Sequence, residues 1–417
     1  MRGTVDCVVV GAGQAGLGVS RSLIERGIDH VVLERARIGE TWRSQRWDSF
    51  RVNTPNRMNG LPDLDFDGDP DAFPTAAELA ESFERYAAAF KLPVSTGVTV
   101  TAVEGSDDGF VVRTDHPDAS TIATRSVVIA SGPMRRPKIP AVAAAVPKDV
   151  AQVHAAAYRN PQSLPAGGVL VVGTAQSGCQ IAEELLEAGR PVYLSASAVA
   201  RAPRRYRGRD ITGWLTDAGF MGMRPTDLPD PAMQRAAWPQ VSGVGSRGHT
   251  VGLQWLAGRG AILVGRVRAV SGRTMTFEDS VAAAIRSGDA GSAMIKGMID
   301  GYLLETGIQA PPPEHDPADV PCPHPEALAG PGELDLDAAG ITSIVWCTGF
   351  DADFSWIHLP VVDERGEPLH QEGVSPVPGL CFIGLAWMRM RKSAIIAGVE
   401  DDAAFVADAV VTHLAGG

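Results

Sequence analysis

Two glycine-rich turns in this sequence have the residue types and the spacing that bind a dinucleotide. Each follows an apolar stretch expected to be a strand and opens a stretch expected to be a helix. A helix N-terminus offers unpaired N–H groups and a partial positive charge to a pyrophosphate, and glycine lets the backbone approach it closely. The first turn contains Gly11, Gly13 and Gly16; the second contains Gly173, Ala175, Gln176, Ser177 and Gly178.

The two turns belong to units in the same register. Gly27 follows Gly11 at the same interval at which Gly189 follows Gly173, and each ends the expected helix before a second apolar strand. The strands are apolar throughout, as in a parallel sheet covered on both faces. A single turn of this kind is weak evidence, but two in one register predict an α/β fold with two Rossmann-like dinucleotide-binding domains.

The units differ where the second strand ends. The first has Glu34, a carboxylate that can accept hydrogen bonds from ribose hydroxyls. The second has Ala196 there, preceded by Ser195 and followed by an arginine-rich stretch that includes Arg201 and Arg204. Arginines and hydroxyls bind a 2′-phosphate that an acid would repel. We therefore predict FAD in the first site and NADPH in the second; the alternative is that the arginines form a solvated loop.

Further strand ends suggest how the domains are connected. Small-residue turns follow apolar strands at Gly132, at Thr348 and Gly349, and at Gly384. They predict a flavin domain split between residues 1–155 and 336–417, with an NADPH domain of residues 162–335 inserted. Aromatic and glycine-rich segments, 208–231 and 238–258, could line an apolar substrate entrance or pack in the core. The proline-rich segment 310–332 is expected to be a loop, and its His315, Cys322 and His324 match no common metal site.

The composition excludes several classes of protein. A net charge of −12 argues against nucleic-acid binding and against attachment to acidic membranes. No apolar run reaches about 18 residues, so no membrane span is expected. The sequence enters a strand too early for a signal peptide, and five scattered cysteines favour a reducing compartment. We expect a cytoplasmic enzyme with no metal; a homodimer is compatible with the sequence.

Three motifs resemble the flavin-containing monooxygenase family over essentially the whole chain. The segment from Leu33 to Asp63 is similar to the family's acid–Arg…Gly-Gly-x-Trp and Ser-Leu-x-x-Asn-Thr segments, although Glu40 replaces the usual second glycine. His154 and Tyr158 match the end of the fingerprint FxGxxxHxxxY, whose Phe and Gly positions hold Lys148 and Val150. Cys347 to Phe350 resembles the Ala-Thr-Gly-aromatic turn. Taken alone, His154 would more often be a structural linker histidine.

The resemblance implies an activity and a set of residues. In that family NADPH reduces FAD, O2 forms a C4a-(hydro)peroxyflavin, and one oxygen passes to a nitrogen or sulfur nucleophile or to a carbonyl or keto acid. Asn53 and Arg389 would be catalytic contacts, unless Asn53 forms an Asx turn before Pro55 and Arg389 caps its loop. Further cofactor contacts would be Arg35, Trp42, Arg43 and Val100, together with the strand-end residues Gly132, Thr348, Gly349 and Gly384. An oxidase or a dehydrogenase or reductase without oxygen transfer is the alternative, and a flavin-binding regulator is a third reading.

Overall fold

The computed structural model describes residues 4–235, 239–240, 243, 245 and 248–416. Part of the predicted substrate-entrance segment 238–258, including Trp238, lies outside the described residues. The strands are β1 (Thr4–Val10), β2 (His30–Glu34), β3 (Val94–Thr96), β4 (Val100–Ser106), β5 (Gly109–Thr114), β6 (Thr121–Ile129), β7 (Arg136–Pro137), β8 (Ala151–His154), β9 (Gly168–Val172), β10 (Val192–Ser195), β11 (Arg205–Tyr206), β12 (Arg209–Asp210), β13 (Ile262–Val264), β14 (Val267–Ser271), β15 (Thr274–Phe277), β16 (Glu333–Asp335), β17 (Ile341–Trp346), β18 (Phe350–Asp351) and β19 (Leu380–Phe382).

In the described part of the chain, eight α-helices pack with the sheets, and two of them, α1 and α4, begin directly after the two glycine turns. They are α1 (Gln14–Glu25), α2 (Glu40–Ser44), α3 (Ala76–Ala89), α4 (Gln176–Glu187), α5 (Ile211–Asp217), α6 (Leu253–Gly258), α7 (Val281–Thr306) and α8 (Val399–Gly416). Thr75 and Glu78 form a reciprocal capping box that starts α3. No helix in the described ranges is both long enough and apolar enough to cross a lipid bilayer.

Two sheets carry the two glycine turns. The first has the order β3-β2-β1-β6-β5-β4, and β19 pairs in parallel with the second half of β6. The strands β4 and β5 form its antiparallel part. The second sheet has the order β13-β10-β9-β17-β8 and is parallel throughout. Because parallel strands end at the same edge, each glycine turn lies beside the ends of its neighbouring strands.

The strand pairing moves both predicted domain boundaries. β8, expected in the flavin domain, pairs with β17 in the second sheet, and β17 also pairs with β9. The predicted boundaries at residues 155 and 336 were therefore wrong. The chain returns to the first sheet at Ile357, which bridges Val103 of β4, and then with β19. The short antiparallel pair of β7 and β18 joins the two connecting segments.

Close packing fixes the last helix against the first. A Cβ added at Gly18 of α1 would lie 2.3 Å from Cγ1 of Val399 at the start of α8. The two helices therefore touch at a point where only glycine fits. This contact holds the chain after β19 beside the first glycine turn.

Candidate dinucleotide and flavin site

A cavity of about 400 Å³ opens at the first glycine turn. Its wall is built from the ends of β1, β2 and β6, from α2 and from the segment after β19. Eight of the predicted cofactor residues line it: Gly11, Gly13, Glu34, Arg35, Trp42, Val100, Gly132 and Gly384. Arg43 does not line it, because its guanidinium pairs with Glu84 at 2.9 Å.

Sterics explain which glycines the turns require. Gly11 has a φ of +108°, and a Cβ there would lie 2.6 Å from the carbonyl oxygen of Ala130. A Cβ at Gly16 would lie 1.8 Å from the carbonyl oxygen of Gly11, so α1 can begin against the turn only without a side chain there. A Cβ at Gly13 would meet no atom within 4 Å. The open side at Gly13 is the cradle that a pyrophosphate would occupy.

The second turn repeats this geometry. Gly173 has a φ of +105°, and a Cβ at Gly178 would lie 1.8 Å from the carbonyl oxygen of Gly173. Ala175 has φ −72° and ψ −174°, close to the −85° and −172° of Gly13. Because this position needs no glycine conformation, Ala175 preserves the turn. Its methyl group narrows the cradle without closing it, and Gln176 and Ser177 begin α4 beside it.

Glu34 closes the first turn from the strand side. Its Oε2 accepts a hydrogen bond from the Ala12 N–H at 2.9 Å, and its Oε1 accepts one from the Ala36 N–H at 3.0 Å. A carboxylate oxygen can accept more than one hydrogen bond, so both oxygens retain capacity for ribose hydroxyls. Trp42 lies across the cavity, and its indole N–H donates to Oε1 of Gln14 at 3.3 Å. These residues fit an FAD dinucleotide.

Arg201 and Arg204 do not face the second nucleotide turn, contrary to the predicted phosphate contact. Both are 1 % exposed. Arg201 donates to Asp289 at 2.7 Å and to Asp319 at 2.8 Å. Arg204 holds Asp210 through two hydrogen bonds and lies 4.6 Å above the ring of Phe73. Carboxylates already neutralise both guanidinium groups, so these arginines are part of the buried structure.

Three other predicted cofactor contacts, Ser195, Thr348 and Gly349, bind backbone groups instead. The Ser195 hydroxyl is buried and donates to the Gly265 carbonyl at 2.9 Å. The Thr348 hydroxyl donates to the Lys138 carbonyl. The Gly349 carbonyl accepts from the Lys138 N–H at 3.0 Å. Ser195 thus ties β10 to the end of β13, while Thr348 and Gly349 tie the connecting segments of the two sheets together.

Neither predicted catalytic residue lines the cavity. Asn53 lies between the two halves of the molecule, where its Oδ1 accepts from Gln180 Nε2 at 3.4 Å and its carbonyl accepts from Arg204 at 2.9 Å. Arg389 lies 4.2 Å above the ring of Phe405 and donates to the Asp401 carbonyl at 3.0 Å. The structure therefore favours the loop-capping alternative for Arg389, whose guanidinium is held on α8.

His154 and Tyr158 connect the segments between the sheets. The Ala156 N–H donates to Nδ1 of His154 at 3.1 Å, so Nε2 carries the proton and donates to the Gly349 carbonyl at 2.9 Å. Burial lowers the pKa of His154, which favours this neutral form. The Tyr158 hydroxyl donates to Glu184 of α4 at 2.7 Å, and burial raises the pKa of that carboxyl. Both residues therefore link segments of the chain, in agreement with the alternative that His154 is a structural linker histidine.

Sequence reasoning missed Arg46, which lies behind the cavity wall. Its guanidinium is 4.8 Å from the ring of Trp42 and 5.2 Å from the ring of Phe50. Within the described chain it pairs with no carboxylate, and burial lowers its pKa to about 10. The sequence could have indicated Arg46 through its position between aromatic residues in the segment from Trp42 to Phe50.

Trp214, in the predicted entrance segment 208–231, is 2 % exposed and donates to the Tyr206 carbonyl. It is therefore a core residue and not part of an entrance.

The five cysteines are free thiols, and none lines the cavity. Cys7, Cys179 and Cys381 are buried. Burial raises the pKa of Cys347 to about 12 and also raises that of Cys179. Thiols with raised pKa values are poor nucleophiles at neutral pH. This arrangement does not provide a redox-active thiol pair.

Comparisons with known proteins agree with this geometry. Residues 8–215 match the family model described as pyridine nucleotide-disulphide oxidoreductase. A CzcO-like oxidoreductase of Geobacillus kaustophilus, described as uncharacterized, is 31 % identical over 99 % of this chain and 100 % of its own length. An indole-3-pyruvate monooxygenase of Oryza sativa subsp. japonica is 26 % identical over 73 % of this chain and 76 % of its own. The solved flavin-containing monooxygenase of Stenotrophomonas maltophilia superposes with a TM-score of 0.67 at 19 % identity, over 99 % of both chains.

The fold, the paired glycine turns and the family match define an oxidoreductase of the class that uses two dinucleotides. Within that class, the chain belongs to the family of CzcO-like oxidoreductases. The predicted resemblance to flavin-containing monooxygenases and the predicted α/β fold with two Rossmann-like domains are confirmed. The comparisons also support FAD and NADPH as the cofactors.

Proposed function

We propose that this chain is an NADPH- and O2-dependent flavoprotein monooxygenase. Its substrate would be a small molecule that presents a nucleophilic nitrogen or sulfur, or a carbonyl or keto-acid carbon. The observation that carries the proposal is the pair of equivalent glycine turns, one at the cavity beside α1 and one on the second sheet. A chain with two such turns can hold an electron donor and an electron acceptor together.

Bound FAD would supply the electron and oxygen chemistry, and the residues of the chain have simpler tasks. Gly11, Gly13 and the start of α1 would hold the pyrophosphate. Glu34 would orient the ribose, and Trp42 would cover one side of the cavity. The second turn, from Gly173 to Gly178, would deliver the nicotinamide nucleotide.

The named relatives support oxygen transfer. The rice relative is named for a monooxygenase reaction on an indole-substituted keto acid, and the bacterial structural neighbour is named a flavin-containing monooxygenase. The state of the cysteines weighs against electron transfer to a disulfide, the activity in the description of the matched family model. Each of the four cysteines Cys7, Cys179, Cys347 and Cys381 has a pKa raised by burial.

Isotope incorporation tests the proposal. The purified yellow protein is supplied with NADPH and oxygen-18 gas and with a panel of amines, sulfides, ketones and keto acids. We expect one of these classes to give a product carrying one labelled oxygen for each NADPH consumed. An oxidase or reductase would instead release unlabelled products or hydrogen peroxide with every compound, and that result would overturn the proposal.

A further inference from the structure

The adenosine end of the second nucleotide unit lacks the residues expected to bind a 2′-phosphate. By register with Glu34, the ribose of the nucleotide would meet the residues that follow β10. Ala196 is fully buried there, and its N–H donates to the Val264 carbonyl at 2.7 Å. Ser197 is partly exposed and is held by the Thr174 hydroxyl, which accepts from the Ser197 N–H at 3.0 Å. This end therefore offers a hydroxyl and no acid.

Four of the five arginines that follow β10 in sequence already pair with carboxylates, and the fifth, Arg205, donates to the Gly248 carbonyl at 3.2 Å. Arg201 and Arg204 are buried in ion pairs with Asp289, Asp319 and Asp210. Arg207 and Arg209 pair with Asp300 and Asp217. A phosphate would have to displace a carboxylate from any of these four arginines.

The neighbouring strand β13 ends beside the same place. β10 and β13 run in parallel, with Ser195 paired to Val264, and the Ser195 hydroxyl donates to the carbonyl of Gly265 at 2.9 Å. The next residue is Arg266. Arg266 lies two residues after Val264, just as Ser197 lies two residues after Ser195, so the register of the two strands brings Arg266 and Ser197 to the same edge of the sheet.

The backbone at Arg266 is fixed while its side chain is exposed. A Cβ at Gly265 would lie 1.6 Å from the Glu278 carbonyl oxygen, so the chain passes Glu278 with no space between. The Arg266 N–H donates to the Ser280 hydroxyl at 3.0 Å, and its carbonyl accepts from the Glu278 N–H at 2.9 Å. Glu278 and Asp279 are the acidic residues on this segment, and in the described chain neither forms an ion pair with the exposed guanidinium of Arg266.

We propose that Arg266 recognises the 2′-phosphate of NADPH, with the Ser197 hydroxyl as a second contact. The inference rests on the proposed function, because it assumes that a nicotinamide nucleotide occupies the second turn. A guanidinium on a fixed backbone binds phosphate through charge-assisted hydrogen bonds, which are stronger than hydrogen bonds between neutral groups. The preference for NADPH over NADH would thus come from the end of the third strand of the nucleotide unit and not from the carboxylate-paired arginines that follow the second strand.

Binding measurements on the flavin-loaded protein test Arg266 without relying on turnover. Calorimetry compares adenosine 2′,5′-bisphosphate with ADP for the wild type, for Arg266→Gln, for Arg266→Lys and for Arg268→Gln. Arg268 is also exposed and lies two residues further on, so it is the matched control. We expect Arg266→Gln to lose about tenfold to hundredfold in affinity for the bisphosphate and nothing for ADP. Arg266→Lys should recover part of this loss, and Arg268→Gln should resemble the wild type.

Anaerobic reduction separates this inference from the proposed function. With Arg266→Gln, flavin reduction by NADPH should slow at low nucleotide concentration, while reduction by NADH should be unchanged. Equal loss of bisphosphate affinity in Arg266→Gln and Arg268→Gln, or no loss in either, would overturn the assignment. So would a wild type that binds the bisphosphate and ADP equally. If neither nucleotide reduces the flavin, the proposed function fails, whereas the calorimetric comparison still decides the role of Arg266.

Discussion

At the two glycine turns, steric constraints require glycine at one position and allow another residue at a second position. In both copies, a Cβ added at the third glycine of the turn would lie 1.8 Å from the carbonyl oxygen of the first glycine, which is too close for any side chain. The middle position has an ordinary extended conformation, which alanine adopts in the second turn and glycine in the first. The two positions therefore make opposite predictions for substitution.

Gly178→Ala should abolish flavin reduction by NADPH while the flavin stays bound, because the added methyl forces α4 away from its turn. The matched variant Ala175→Gly should reduce at least as fast as the wild type, since it only widens the cradle. Stopped-flow absorbance of the flavin without air measures both. Normal reduction by Gly178→Ala would show that the second turn does not hold the nucleotide.

Arg204 should matter for stability and not for coenzyme choice. Removing one partner of a buried ion pair leaves the other charge uncompensated, which typically costs about 3–5 kcal/mol. Arg204→Gln should therefore lower the free energy of unfolding by that order, while the preference for NADPH over NADH is unchanged. Arg209→Gln is the control, because its exposed pair with Asp217 should contribute at most about 1 kcal/mol. A changed coenzyme preference in Arg204→Gln would contradict the buried-pair account.

The arginines also mark a limit of prediction from sequence at this scale. A run of cations after β10 indicates phosphate binding only if the cations are unpaired. The carboxylates that neutralise Arg201 lie far along the chain, at Asp289 and Asp319. Such long-range pairing has no local signature. The glycines and Glu34 were predictable because their constraints arise within one strand–turn–helix unit.

At the level of elements, the first turn of α8 contains a buried acid. Asp402 is 1 % exposed, accepts a hydrogen bond from the Ser393 hydroxyl at 3.3 Å and has Arg389 at 3.9 Å. Burial outweighs these partners and raises the pKa of Asp402 to about 7 from the usual 3.8. The folded protein thus keeps a proton that the unfolded chain has lost. Stability contributed by this group is present below about pH 4 and is lost as the pH rises to about 7.

Asp402→Asn should remove this pH dependence. We expect the variant to have a higher Tm than the wild type at pH 8 and a similar Tm near pH 4. Asp401→Asn is the matched control, because Asp401 is exposed and pairs with Lys392 at 2.6 Å. Its Tm should stay close to that of the wild type at both values. An Asp402→Asn variant that is destabilised at pH 8 would show that the carboxylate is charged and satisfied in the fold.

The connecting segments depend on His154. Its ring is held by two backbone groups, Ala156 N–H and Gly349 C=O, and lies 5.0 Å from the ring of Phe350. His154→Ala would leave both groups unpartnered, so we expect a loss of about 1–3 kcal/mol in unfolding free energy, measured by urea denaturation. Flavin content should be unchanged, because His154 does not line the cavity. Loss of flavin with unchanged stability would contradict a linker role.

The element boundaries show which part of the fold the sequence could not determine. The apolar run before Thr348 was correctly predicted to be a strand that ends in a small-residue turn. Its partners were not predicted, and β17 pairs with β8 and β9 in the second sheet. Strand pairing depends on which apolar faces meet across long loops, and a local pattern does not report that. The return of the chain to the first sheet was easier to predict, because the small-residue turn at Gly384, after β19, was expected to belong to the flavin domain.

On the scale of the whole molecule, two sheets present their glycine turns. Contacts at His154, at Thr348 and at the β7–β18 pair hold together the segments that connect these sheets. Asn53 and Gln180 add a direct contact between the two halves. The homodimer and the cytoplasmic location remain predictions.

In the proposed reaction, NADPH reduces the flavin and the reduced flavin then transfers oxygen. The most direct measurement reduces the flavin-loaded protein with NADPH without air and then mixes it rapidly with O2 while the absorbance is followed. We predict a long-lived species that absorbs to the blue of the oxidised flavin and decays faster when a substrate is added. Immediate return of the oxidised spectrum with one hydrogen peroxide for each flavin, with no such species, would contradict the account.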